Sequence, residues 1–226
     1  MLDVQDYLKL PKLGMDDKFE FSCNGCGKCC RNREDILLTP LDLFKIAKFL
    51  NKPIKDVMGD YCEFYEGQTS KVPVVRIKPK TYQKTCPFLK QSRCQLHPTF
   101  KPAVCAIFPL GRMTEFKSGE FNYFLQPAKC GGLKQSQTVR EYLSEFPILE
   151  EEEIAIMWQK KLGEMSMIMR ETYEKANFNH EDITIILFLT LYVKYDLERD
   201  FLPQFLANCE EALAIVRTFA TIKNEN

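Results

Sequence analysis

The sequence predicts an α+β protein in which a loop-rich half with short strands is covered by a C-terminal helical bundle. Of the ten glycines, only Gly163 follows Gly132, and from there the apolar residues recur at helical spacing. Residues 81–109 contain four prolines and three cysteines, a composition typical of loops. We therefore expect a cysteine-cluster region over 1–135 and a helical region over 136–226, packed on it as one compact unit.

The first predicted helix opens on the sequence Thr-Pro-Leu-Asp at 39–42. The threonine is placed to be the N-cap, the proline occupies the first helical position, and the aspartate stands at the capping-box position. The sequence Asn-Lys-Pro at 51–53 ends this helix, and a short second helix is expected over 53–61. The valine-rich stretch at 72–77 predicts a strand.

Two stretches of apolar and aromatic residues, 113–116 and 121–125, flank Lys-Ser-Gly at 117–119 and predict a β-hairpin. The second half of the chain then predicts about four helices. Thr138 and Glu141 form a capping box for the first, and Pro147 is expected to start the second. Asn179 is a candidate cap for the third and Asp200 precedes the fourth.

Composition excludes several classes of protein. Hydrophobic residues at 45% and charged residues at 27% are ordinary globular usage. The 31 basic and 31 acidic residues cancel, which argues against general nucleic-acid binding. The apolar stretch 183–193 is shorter than the roughly 20 residues that span a bilayer, so we expect no membrane span and interpret it as a buried helix.

The start of the chain, 1–6, lacks the features of a secretory signal, so a cytoplasmic location is expected. In that reducing compartment, the ten cysteines are better explained as metal ligands or redox groups than as a disulfide framework.

The densest group of thiols is Cys23, Cys26, Cys29 and Cys30, four cysteines within eight residues. The first three follow C-x2-C-x2-C spacing, with which one loop can direct three thiolates at a single metal centre. Because adjacent side chains usually diverge, Cys30 is expected to serve a second site or to have a non-ligand role.

Six cysteines lie downstream, and they differ in context. Cys62 ends a predicted helix and Cys209 lies on the apolar stripe of the last helix, so both are interpreted as packing residues. His97 is interpreted as a turn residue because thiolates are in excess. The remaining cysteines lie in turn-rich segments, so the candidate metal ligands are Cys23, Cys26, Cys29, Cys30, Cys86, Cys94, Cys105 and Cys130.

This pattern resembles the YkgJ-like cysteine-cluster family, which is described as zinc- or iron-chelating and marked by C-x2-C-x2-C-C. The resemblance covers about 19–132, and it departs from the family pattern where Lys101-Pro102 replaces a common Arg-Pro and where Ala106 replaces a frequent basic residue. Beyond the opening motif, it rests on Cys86-Pro87-Phe88-Leu89, Cys94, Lys101-Pro102, Cys105, Phe108-Pro109 and Cys130.

The identity of the metal stays open between an iron–sulfur cluster and zinc. The opening run with Cys86-Pro87 is similar to the bacterial ferredoxin pattern and favours a [4Fe-4S] cluster held by Cys23, Cys26, Cys29 and Cys86. The wide spacing of the later cysteines provides no second C-x2-C unit typical of zinc sites. Eight candidates suffice for two sites or for one site with additional redox thiols.

A second hypothesis concerns catalysis. Flagellin lysine N-methylases contain a similar cysteine region, and that resemblance implies a cluster-dependent methyltransferase that uses S-adenosylmethionine. The chain lacks a glycine-rich nucleotide loop after a strand, which weighs against this alternative, and no catalytic residue is assigned. A third hypothesis is an adaptor whose helical half binds a protein partner.

Overall fold

The computed structural model describes residues 9–33, 36–82, 84–114, 121–127, 135–174 and 181–224. Over these residues the protein has the predicted α+β class, with short antiparallel strands in small sheets and a helical C-terminal region. The chain divides into two compact units: unit 1 comprises Met1–Arg33 and Lys80–Ile156, and unit 2 comprises Glu34–Pro79 and Met157–Asn226. The predicted division into a cysteine-cluster region over 1–135 and a helical region over 136–226, packed as one compact unit, stays a prediction.

Unit 1 contains three small antiparallel sheets. The strands β1 (Lys12–Leu13) and β2 (Lys18–Glu20) come first, and each pairs with a strand from much later in the chain. The later elements of this unit are β6 (Leu89–Lys90), β7 (Arg93–Cys94), α3 (Ala103–Ala106), β8 (Leu110–Thr114), β9 (Phe121–Leu125), β10 (Ser136–Thr138) and α4 (Val139–Leu143). Their numbers follow chain order, and the elements numbered between β2 and β6 lie in unit 2.

The sheets of unit 1 are β1-β9-β8, β10-β2 and the hairpin β6-β7. A hydrophobic core joins the first two of these sheets to α4, and Leu110, Val139 and Leu143 within it are fully buried. Four aromatic residues of this unit, Phe21, Phe108, Tyr142 and Phe146, contact one another edge to face, and the Tyr142 hydroxyl donates to the carbonyl of Phe108. We call these four residues the aromatic cluster.

Unit 2 begins with β3 (Leu37–Leu38), α1 (Pro40–Leu50), α2 (Ile54–Tyr61), β4 (Cys62–Glu66) and β5 (Pro73–Ile77). Its sheet has the order β3-β5-β4. The burial of β5 alternates along the strand, as expected for a strand with one face against a core. The strand predicted over 72–77 and the short helix predicted over 53–61 are therefore confirmed.

The helices of the C-terminal region are α5 (Glu152–Glu174), α6 (Glu181–Phe188) and α7 (Phe201–Asn224), and a π-helical turn, Leu189–Val193, follows α6. The apolar stretch 183–193 is thus helical as predicted, with Leu187 and Leu191 fully buried. Ile185 and Ile186 are 44% and 47% exposed, so one face of this stretch lies at the surface. None of the described helices is both long and apolar enough to cross a membrane.

Both predicted capping boxes are confirmed, at Thr39 with Asp42 and at Thr138 with Glu141. The helix expected to start at Pro147 instead starts at Glu152, because Pro147 begins a turn that places Ile148 in the core of unit 1.

The predicted hairpin is present as β8 and β9, in which Thr114 pairs with Phe121. Its predicted turn at 117–119 lies outside the described residues, as do the candidate cap Asn179 and the residues Cys130, Gly131 and Gly132.

Candidate metal centre

Main-chain hydrogen bonds bring the end of the opening cysteine motif beside the segment that carries Cys86. Arg31 forms an antiparallel bridge with Thr85. The amide of Cys86 donates to the carbonyl of Cys30 at 2.8 Å, and the amide of Asn32 donates to the carbonyl of Lys84 at 2.7 Å. These bonds align residues that are more than fifty positions apart in the sequence.

Gly27 allows the opening loop to approach the β6-β7 hairpin closely. Its φ is +65°, and a Cβ atom at this position would lie 2.9 Å from Leu89 Cδ1 and 3.0 Å from the carbonyl oxygen of Ser92. A side chain is therefore excluded by the backbone conformation and by the neighbouring atoms. The hairpin ends at Cys94, so the approach brings Cys94 toward the short 3-10 turn Lys28–Cys30.

Five thiols converge as a result, and we call Cys29, Cys30, Cys86, Cys94 and Cys105 the thiol cluster. The Sγ atoms of Cys29 and Cys30 are 3.9 Å apart. The Cys30 thiol also interacts by a hydrogen bond with Cys94 and electrostatically with Cys86. Cys86 and Cys94 in turn act electrostatically on Cys105. Adjacent side chains were expected to diverge at Cys29 and Cys30, but the tight 3-10 turn directs both sulfur atoms to the same side.

The thiol cluster divides by proton affinity. A hydrogen bond with Cys30 lowers the pKa of Cys29 to about 6. A second hydrogen bond, between Cys30 and Cys94, lowers the pKa of Cys94 to about 7. The pKa of Cys30 itself is raised by its hydrogen bonds with Cys29 and Cys94 and by desolvation. The proton therefore resides on Cys30, which is buried, and the neighbouring sulfur atoms have thiolate character.

The other two thiols favour the protonated form. Burial is the main reason that the pKa of Cys86 is raised to about 11, and the charges of Cys94 and Cys29 add to this effect. Desolvation likewise raises the pKa of Cys105, which lies on α3.

Two basic residues that the sequence did not identify as site residues lie beside the thiol cluster. The charge of Lys101 acts on Cys29, Cys94 and Cys105, and the charge of Arg33 acts on Cys29 and Cys105. Lys101-Pro102 replaces the Arg-Pro that is common in the family that the sequence resembles. The position of Lys101, four residues before the candidate ligand Cys105, is the sequence feature that could have identified it as a neighbour of the site.

Three predicted ligands are not joined to the thiol cluster by any contact that the described residues show. Cys23 is exposed, and Cys26 is half-buried with its amide bonded to Asn24 Oδ1 at 3.3 Å. Cys130 lies outside the described residues. The predicted four-ligand set of Cys23, Cys26, Cys29 and Cys86 therefore stays a prediction.

The donor chemistry of the thiol cluster fits a thiophilic metal, because two sulfur atoms have thiolate character and basic residues lie nearby. Among the described residues, however, no three His, Cys, Asp or Glu side chains are arranged to hold one metal ion. Binding would therefore require rotation of thiol side chains toward a common centre.

The cysteines and histidine interpreted as non-ligands lie in different settings. Cys62 is buried on β4, where it pairs with Ile77, and Cys209 is buried on α7, where burial raises its pKa to about 12. His97 is exposed, and its ring contacts the edge of Phe146 at 5.7 Å between centroids. Desolvation and the charge of Lys101 lower the pKa of His97.

Comparison with known proteins relates this region to one family. Residues 22–131 match the family model CxxCxxCC, described as "Putative zinc- or iron-chelating domain". No curated protein and no solved structure matches the chain. The match spans the described thiol cluster and supports metal binding in general. Over residues 22–131, this chain is similar to the CxxCxxCC family, which that description relates to zinc or iron chelation.

Proposed function

We propose that unit 1 binds an iron–sulfur cluster through cysteine thiolates, in a structural or redox role. The observation that carries this proposal is the convergence of five thiols from four separate segments of the chain. Packing does not require several cysteines at one place, whereas a thiolate-ligated metal centre commonly uses four.

The ligand run supports an iron–sulfur cluster. Cys29 and Cys86 belong to the C-x2-C-x2-C and Cys-Pro elements that are similar to a bacterial ferredoxin run, and they already interact electrostatically. Cys23 and Cys26 would complete the four ligands. Cys30, Cys94, Cys105 and Cys130 are then available for a second site or for thiol chemistry.

One distance supports zinc as the second candidate. Two thiolates bound at about 2.3 Å to one tetrahedral zinc ion lie roughly 3.8 Å apart. The Sγ atoms of Cys29 and Cys30 are 3.9 Å apart, which is compatible with a shared ion. Cys86 and Cys94 would then be the nearest further ligands.

The pKa values of Cys29 and Cys94 are lowered, so these two thiols lose a proton to a metal cation more easily than an ordinary thiol does. Cys30, Cys86 and Cys105 release a proton when they become ligands. A bound iron–sulfur cluster would supply one-electron chemistry at this position. We infer that the reducing cytoplasm, in which thiols persist, is the compartment in which this centre forms.

Metal analysis of protein purified without oxygen tests the proposal. Iron and acid-labile sulfide with a brown chromophore would support the cluster, and Cys86→Ser should lose it. Cys209→Ser, a matched substitution of another buried cysteine, should retain the metal. Colourless protein with stoichiometric zinc would contradict the iron–sulfur cluster and support a zinc site instead. Protein that binds neither metal would overturn the proposal.

The methyltransferase alternative is tested with the same preparation. Two open surface depressions of about 400 and 590 Å³ lie in unit 2, and neither is lined by a cysteine. Because the sequence lacks a glycine-rich nucleotide loop after a strand, the metal-loaded protein is expected not to bind S-adenosylmethionine in equilibrium dialysis. Stoichiometric binding of this cofactor would favour the enzyme over a structural or electron-transfer role.

A further inference from the structure

The charged residues of unit 1 are distributed unevenly along the chain. Residues 21–33 and 80–114 together contain nine Lys and Arg residues and no Asp or Glu. The balanced net charge of the whole chain therefore conceals a strongly basic part of unit 1. A local excess of this kind is the electrostatic footprint of a surface that binds a polyanion.

Main-chain contacts bring four of these cations together. Thr85 forms one antiparallel bridge with Arg31 and another with Lys80. Directly opposite residues of an antiparallel pair lie on the same face, so Arg31 and Lys80 flank Thr85 on one face. The amide of Arg31 donates to the carbonyl of Lys28 at 3.1 Å, and the amide of Lys84 donates to the carbonyl of Lys80 at 2.8 Å. Segments that are about fifty positions apart in the sequence thus place their basic residues side by side.

The β6-β7 hairpin adds two further cations beside this group. Lys90 and Arg93 are paired across the hairpin. A Cβ atom at Gly27 would lie 3.0 Å from the carbonyl oxygen of Ser92, so the tip of the hairpin lies against the turn that begins at Lys28. All six cations are solvent-exposed, and we call them the basic surface: Lys28, Arg31, Lys80, Lys84, Lys90 and Arg93.

A fully exposed aromatic residue lies within the basic surface. Tyr82 is 101% exposed and is equally distant in sequence from Lys80 and Lys84. The turn that carries it is closed by the amide of Lys80, which donates to the carbonyl of Thr85 at 2.8 Å. Because the ring buries no surface within the chain, packing gives no reason for an aromatic residue at this position. Both faces of the ring are accessible to a flat partner.

Surfaces that bind single-stranded nucleic acid combine cations that contact phosphates with aromatic rings on which bases stack. We propose that the basic surface and Tyr82 bind a single strand of nucleic acid, with the cations on its phosphates and the tyrosine ring on a base. An acidic protein would also attract the cations, but it would not need a flat aromatic partner. The neutral net charge confines this contact to one part of unit 1. This inference goes beyond the proposed function and does not depend on a bound metal.

Fluorescence anisotropy with labelled oligo(dT) and oligo(U), each about 12 nucleotides long, tests the proposal. The full-length protein, purified without oxygen with the metal that it retains, should bind these strands, and the tighter of the two identifies the natural strand as DNA or RNA. Affinity should fall as the salt concentration rises, because binding releases counterions from the phosphates. No binding of either strand at low salt would overturn the proposal.

Two matched double variants show where the strand binds. Lys80→Gln with Lys84→Gln should weaken binding about tenfold at low salt, and the slope of log affinity against log salt should decrease by roughly 1.4, or about 0.7 for each lost phosphate contact. The control, Lys12→Gln with Lys18→Gln, removes two exposed lysines of β1 and β2 and should stay within about twofold of wild type. Equal weakening in the two double variants would show that binding follows net charge alone and would overturn the proposal.

Substitution of Tyr82 distinguishes a nucleic acid from an acidic protein. Tyr82→Ala should weaken oligonucleotide binding about tenfold, the order measured for loss of one stacked base, and Tyr82→Phe should stay within about twofold of wild type. Circular dichroism should show unchanged folding, because the side chain is fully exposed. A glutamate-rich peptide of equal negative charge should bind more weakly than the oligonucleotide and should be unaffected by Tyr82→Ala. Peptide binding as tight as that of the oligonucleotide, or an oligonucleotide affinity that Tyr82→Ala leaves unchanged, would overturn the proposal in favour of an acidic protein partner.

Discussion

Cysteine residues have different surroundings in the two units. In unit 1, Cys29 and Cys94 lie among other thiols and beside basic side chains, and their pKa values are lowered. In unit 2, Cys62 and Cys209 are buried on regular elements, as small hydrophobic residues are. Regular structure is also distributed unevenly, since residues 81–109 of unit 1 contain two-residue strands and a four-residue helix, whereas α7 extends over 24 residues. The comparison suggests that unit 1 depends on its thiols for stability and that unit 2 does not.

Removal of the metal should have the largest effect, and it should be confined to unit 1. Structural zinc contributes roughly 10–16 kcal/mol of apparent binding free energy in small domains, and the short elements of 81–109 offer little to replace it. Hydrogen exchange after chelation should show loss of protection over 81–109 and retained protection in α7. Addition of zinc or iron should restore protection, whereas magnesium, which prefers oxygen ligands, should not. Equal protection of 81–109 with and without metal would contradict this prediction.

Single-cysteine substitutions test whether the cysteines of the two units have different roles. Cys86→Ala removes a thiol that belongs to both candidate ligand sets and should lower metal affinity at least about tenfold. Cys209→Ala should leave the metal content unchanged and lower the free energy of unfolding by about 1 kcal/mol, because it creates a small cavity in a fully buried position. Metal analysis and thermal unfolding of the two variants measure both effects. Loss of metal from Cys209→Ala would show that the two kinds of cysteine are not distinct.

Much of the local structure could be predicted from the sequence, and the convergence of the thiols could not. The capping boxes at Thr39 and Thr138 depend on residues three positions apart, so spacing alone identifies them. The thiol cluster depends instead on backbone bonds such as that from Cys86 to Cys30, which connect distant segments. Sequence spacing gives no information about such pairing.

The sequence also did not identify the basic residues beside the thiol cluster. Lys101 is adjacent to a proline and resembles any surface lysine in the sequence, and its contact with Phe146 arises from tertiary packing across 45 positions. The start of one helix was also predicted wrongly. The turn at Pro147 brings Ile148 into the core, and α5 therefore begins at Glu152.

Two glycines of the opening loop offer a smaller test within unit 1. Gly25 and Gly27 have nearly equal φ values, +66° and +65°, but a Cβ atom at Gly25 has no neighbour within 4 Å. Each alanine substitution should cost about 1–2 kcal/mol from the left-handed conformation. Gly27→Ala should cost more, because its Cβ would lie 3.0 Å from the backbone oxygen of Ser92 and would separate the loop from the β6-β7 hairpin. Chemical unfolding compares the two variants, and equal losses would show that the loop does not need this close approach.

The capping boxes provide the smallest expected difference between the units. At the start of α1, Asp42 is 2% exposed and accepts from the amide and the hydroxyl of Thr39, each at 2.8 Å. Thr39→Ala should lower the free energy of unfolding by about 1 kcal/mol, because a buried carboxylate loses a hydrogen-bond partner. Thr138→Ala should cost less, because Glu141 is solvent-exposed, and Thr→Ser at either position should be close to wild type.

The cap in unit 1 should also depend on pH. The backbone hydrogen bond from Thr138, together with its hydroxyl, holds the pKa of Glu141 below its usual value. A depressed pKa in the folded state stabilises the protein above the unfolded-state pKa of glutamate, about 4.3, and this contribution is lost as the pH falls through the folded-state value. The deficit of Thr138→Ala in thermal unfolding should therefore shrink under acidic conditions. A constant deficit between neutral pH and pH values well below 4 would show that the hydroxyl acts on the backbone alone and not through the carboxylate.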